Sequence, residues 1–65
     1  MELIEQALNK AFKIDKELIK IYDFIRNSNL NIDKKKEIVE YIINIDMILG
    51  ELEIKLEDIK LKRGE

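Results

Sequence analysis

The chain has no cysteine, no histidine and no proline, and its only glycines are Gly50 and Gly64. Without cysteine there are no disulfides and no thiolate chemistry; without histidine there is no imidazole acid–base catalysis and no zinc site of the usual kind. No long uninterrupted apolar run is present, and the N-terminal MELIEQALNK carries acidic residues first, so neither a signal peptide nor a membrane span is expected. We therefore expect a soluble, cytoplasmic protein without a membrane partner. A basic excess is also missing. Formal net charge is -2 with 40% charged residues of interleaved sign, which disfavours nucleic acid as a general partner.

What remains is isoleucine, leucine, lysine and glutamate without breakers, the composition of long helices. At 65 residues the chain is expected to be one domain, and one of a size that buries too little surface for comfortable stability alone. The densest apolar stretch is Ile38 to Leu49, interrupted only by Glu40, Asn44 and Asp46. Apolar side chains there cover most of a helix circumference, more than one neighbouring helix can bury. The sequence thus points to a partner, in the first place a second copy.

From about 2 to 27 the spacing predicts helix one. Ile4, Ala7, Ala11, Ile14, Leu18, Ile21 and Ile25 alternate at intervals of three and four, an unbroken heptad seam. Leu8, Phe12, Ile19 and Tyr22 widen its apolar arc, and Gln6, Asn9, Lys13, Lys16, Lys20 and Asp23 take the other side. The cluster Asn27-Ser28-Asn29-Leu30-Asn31 reads as the turn. Asn29 is a candidate left-handed cap for helix one, and either Asn31 or Asp33 a candidate cap for helix two. The run Lys34, Lys35 and Lys36 sits badly with the helix dipole at that end.

Helix two is predicted over about 32 to 62, with a seam of Ile38, Ile42, Ile45, Leu49, Leu52, Leu56 and Ile59. The two seams mirror each other. Ile25 and Ile38, Ile21 and Ile42, Leu18 and Ile45, and so on out to Ile4 and Ile59, have numbers that add to 63 in every case. An antiparallel two-helix hairpin sets each seam residue opposite another, and this all-α fold is the principal expectation. A further stripe of Ile43, Met47, Gly50, Ile54 and Leu61 lies away from the seam and is the expected self-association interface, pairing two hairpins into a homodimeric four-helix bundle. Gly50 in mid-helix costs roughly 1 kcal/mol relative to alanine, which close approach of another helix or of the Phe12 ring would explain.

Residues that bear chemistry are few. Asp15 and Asp46 stand at the seam's edge and could approach one another across the hairpin, but carboxylate-bridged metal sites in bundles also use histidine, so no metal and no cofactor is expected. Solvated rim carboxylates are the plainer reading. Lys10, Lys13, Lys16 and Lys20 form a possible partner-binding face on helix one, though most charged helix faces merely stay wet. Tyr22 and Tyr41 read as packing residues with wet hydroxyls, and 60 to 65 as a fraying tail.

The residues Glu37-Ile38-Val39 and Ile45-Asp46, followed by Ile48-Leu49, resemble the second helix of the small two-helix sporulation phosphatases that act on response-regulator aspartyl phosphates. Ile42 and Ile43 stand where that family has Ser and Gln, so only Asp46 carries over, as the residue that would help attack or orient at the phosphoaspartate. The stretch Leu30-Asn31, Asp33, Ile38, Glu40 and Ile42 is similar to the loop and second helix of the Rop family of RNA-binding hairpin dimers, which implies the bundle architecture. On balance the sequence reads as a small non-enzymatic regulator or adaptor working through helix–helix contacts. An aspartyl-phosphate phosphatase and a Rop-like RNA binder are the alternatives.

Overall fold

A computed structural model describes residues 2–62, which form two helices, α1 over Leu3–Arg26 and α2 over Ile32–Lys62, and no strand. Each end has an identifiable cause. Glu2 starts α1 by accepting the N–H groups of Ile4 and Glu5 on its carboxylate at 2.9 and 3.1 Å, satisfying two donors that have no partner inside the helix. At the far end Asn27 is the cap, with φ -90° and ψ 1°, so α1 stops two residues before the left-handed Asn29 cap expected from the sequence. Ser28 does the work instead. Its N–H and its hydroxyl both donate to the Ile25 carbonyl, at 3.1 and 2.6 Å.

Asn31, rather than Asp33, caps α2: its side-chain oxygen accepts the Lys34 N–H at 2.9 Å, while Asp33 sits in the first turn where a carboxylate suits the dipole. Lys35 resolves part of the unfavourable lysine run. Its ammonium leaves the positive end of α2 and donates to the Arg26 carbonyl oxygen at 2.9 Å, at the negative end of α1. Of the tail expected to fray, Lys60, Leu61 and Lys62 are helical, and 63–65 lie outside the described residues.

The helices pack as a hairpin, with an ion pair of 3.1 Å between Glu5 and Lys60 near its open end. Leu8, Ala11 and Leu18 of α1 and Ile42 and Leu49 of α2 are the buried apolar residues among those described, and Ala11, Leu18 and Leu49 form one cluster. The seam is divided. Ile14, Ile21, Ile45 and Leu52 remain half exposed, at 48, 48, 48 and 47%. With only one neighbour, a helix covers the residue that points straight across; the alternate heptad position leans to one side and waits for a second layer.

No such layer exists among the described residues. The backbone measures 49 × 18 × 9 Å, and its radius of gyration is 15.2 Å where a compact domain of this length has about 11 Å. Accessible surface is 5385 Å², against roughly 4,400 Å² for a compact monomer of this mass. Both broad faces of the slab are therefore open.

Candidate interaction faces

At about 100° of rotation per residue, Ile43 and Ile54 stand on one side of α2 and Ile45 and Leu52 on the opposite side; on α1, Phe12 and Ile19 are similarly opposed to Ile14 and Ile21. The hairpin thus has two apolar faces with the buried residues between them.

The first face carries two open grooves. One, of about 590 Å³, lies between Phe12 and the α2 residues Gly50, Glu53, Ile54 and Leu61. The other, of about 270 Å³, is lined by Leu18, Ile19 and Tyr22 of α1 and Ile42, Ile43 and Asp46 of α2. Four members of the predicted helix-two stripe, Ile43, Met47, Ile54 and Leu61, are more than half exposed. Gly50 behaves differently from expectation. A Cβ built on it meets nothing within 4 Å, so within the hairpin no close approach of the Phe12 ring requires a glycine.

Among these apolar residues sit three carboxyl groups. Glu53 faces Asp15 across the two helices, and the nearness of the Asp15 carboxyl, followed by burial and the negative charges of Asp15 and Asp46, raises its pKa above the ordinary 4.5. Two carboxyls this close can hydrogen-bond only if one keeps its proton, so ionisation of Glu53 is opposed. Its Oε2 atom is enclosed and takes no hydrogen bond. The carboxyl that meets Asp15 across the hairpin is thus Glu53, while Asp46 is exposed and acts on Glu53 through its charge. Glu53 follows Asp46 by seven residues, two turns along the same side of α2, and that spacing was the signal that could have found it. No group of three or more His, Cys, Asp or Glu side chains among the described residues is placed to hold a metal ion.

The second face is built from Ile14, Ile21, Ile45 and Leu52, all seam positions, with Ile48 and Tyr41 further out on α2. Tyr41 is 71% exposed and does not pack within the hairpin, contrary to expectation, because it lies beyond the reach of α1. Lys10, Lys13, Lys16 and Lys20 are exposed on α1, away from α2, and Lys20 is paired with Glu17 at 3.1 Å. No helix among the described residues is long and apolar enough to cross a membrane.

Compared with models of known families, with curated proteins and with solved structures, the chain matches none.

Proposed function

We propose that the protein is a small non-enzymatic adaptor or regulator that self-associates into a dimeric four-helix bundle and acts by presenting helical surface to another macromolecule. The observation that carries this reading is the single-layer slab with large apolar side chains exposed on both sides. Its accessible surface exceeds that of a compact monomer by about 1,000 Å². Two chains hiding that excess bury about 2,000 Å² in total, the scale of an obligate homodimer.

The face bearing Ile14, Ile21, Ile45 and Leu52 is assigned to the second copy. These are the seam positions left half covered, so a facing hairpin completes both heptad seams. The stripe of Ile43, Met47, Gly50, Ile54 and Leu61, first expected to join the copies, shares its face with Asp15, Asp46 and Glu53. Pairing that face with itself would set each carboxylate cluster against its duplicate. Light scattering on Ile45→Glu tests the assignment: dissociation of a wild-type dimer supports it, and an unchanged mass removes it.

A second reading draws on Asp46, which is exposed beside the smaller groove, as the phosphatase resemblance requires. In that reading Asp46 contacts an aspartyl phosphate on a partner. Loss of stimulated dephosphorylation of a response regulator in Asp46→Asn supports it; an active wild type matched by the variant rules it out.

A further inference from the structure

We propose that the groove face between Phe12 and Ile54 and between Ile19 and Ile43 is the docking site for an amphipathic helix of another protein, one whose apolar face carries a lysine or arginine near its middle. This deepens the adaptor reading above and rests on it.

The walls of the face are apolar and exposed, with Phe12, Ile54 and Leu61 at one end and Ile19, Tyr22 and Ile43 at the other. Gly50 leaves its middle open, which gives a mid-helix glycine a reason that the hairpin's own packing does not supply. From Ile43 to Leu61 the face runs 18 residues, about 27 Å, which matches a partner helix of about five turns. Recognition of this kind anchors apolar residues spaced at three and four along the incoming helix.

Charge decides which helix. Asp46 lines the smaller groove and Glu53, Glu57 and Asp58 the larger one, whereas neither groove is lined by a lysine or arginine. Over 37–58 helix two has seven carboxylates and a single lysine, Lys55. Of the groove acids, Asp58 already holds Lys62 at 3.1 Å. Among the described residues, Asp15, Asp46 and Glu53 pair with no cation, and the enclosed Oε2 of Glu53 has no hydrogen-bond donor. Covering this cluster with a neutral helix would desolvate carboxylates without compensation. A basic side chain at the middle of the docked helix would supply the missing donors and reverse that penalty. A second copy does not fit, since its matching face brings more carboxylates.

The probe is a fluorescein-labelled peptide of 18 residues with leucines at helical spacing and lysines at the centre of its apolar face, alongside a twin with glutamates for the lysines. Fluorescence anisotropy with the full chain should show saturable binding of the lysine peptide at one per chain and none of the twin. The combined Asp15→Asn, Asp46→Asn and Glu53→Gln variant should bind about tenfold more weakly or worse, because it leaves the peptide cation unpaired. Gly50→Leu should block binding by filling the groove. Glu37→Gln, a charge change on another side of helix two, should change affinity by less than about twofold. Equal weakening by Glu37→Gln and by the triple variant, or no saturable binding, overturns the proposal.

Circular dichroism of each variant confirms folding, and the triple variant relieves repulsion within the hairpin. Mass measured on the same samples separates the two claims. A dimer that ignores the lysine peptide overturns the groove assignment and leaves the bundle; a monomer that binds it overturns the bundle and leaves the groove. Growth beyond a dimer that is blocked by Gly50→Leu would place another copy in the groove, and overturns the proposal as well.

Discussion

Ile45 and Leu49 are one helical turn apart on α2, yet one is 48% exposed and the other 7%. Truncating each to alanine therefore reads out what lies on either side of the hairpin. Leu49→Ala removes a buried side chain, and such changes cost about 2–5 kcal/mol, here near the lower end because a two-helix layer can relax around the cavity. In an isolated hairpin Ile45→Ala forfeits only about half of an isoleucine's burial, about 1 kcal/mol. With a second copy over it, the same truncation approaches the Leu49→Ala cost, about 2–3 kcal/mol. The difference is measurable against a total stability of about 3–10 kcal/mol for a chain of this length. Urea unfolding followed by far-UV circular dichroism at several protein concentrations gives both numbers. Similar costs for the two variants, with midpoints that rise with concentration, are expected. An Ile45→Ala cost of about 1 kcal/mol at every concentration would refute the reasoning.

Other perturbations test the remaining contacts. Gly50→Ala should stabilise the fold by about 0.5–1 kcal/mol, because the added methyl enters open space; thermal unfolding showing a loss instead would mean that the position is covered. Glu53→Gln should stabilise the protein at neutral pH. The raised pKa means that the fold favours the protonated form, so the wild type is least handicapped below 4.5 and falls behind as pH rises through the raised value. The gap in melting temperature between variant and wild type should thus be small in acid and widen toward neutrality, and a gap independent of pH would contradict this. Asn31→Ala should cost about 1 kcal/mol by removing the α2 cap, read by urea unfolding, while Asp33→Asn should cost less.

Much of the fold was legible because a heptad seam records geometry directly. The mirrored positions of Ile4 to Ile25 and Ile38 to Ile59 implied a hairpin, and the helices end within a residue of the expected bounds. The turn was less legible, since Asn27, Asn29 and Asn31 compete for the same capping roles and the Ser28 hydroxyl settled the matter through Ile25. Which seam residues are covered could not be read from spacing alone. A heptad assigns Ile14 and Leu18 alike to the interior, and only the presence of a single neighbour leaves one half exposed and the other buried. Asp15 stands at the seam's edge, but which carboxyl it meets depends on side-chain reach across the helices, and it is Glu53 whose ionisation it opposes. The exposed Phe24 carried no pattern that marked it, and nothing in the hairpin explains it.

Sedimentation equilibrium of the wild-type chain over a wide range of concentration tests self-association most directly. A mass of twice 7.8 kDa, falling to 7.8 kDa only on dilution or in Ile45→Glu, is the expected result. A folded protein of 7.8 kDa throughout would contradict it and leave both apolar faces to partners other than a second copy.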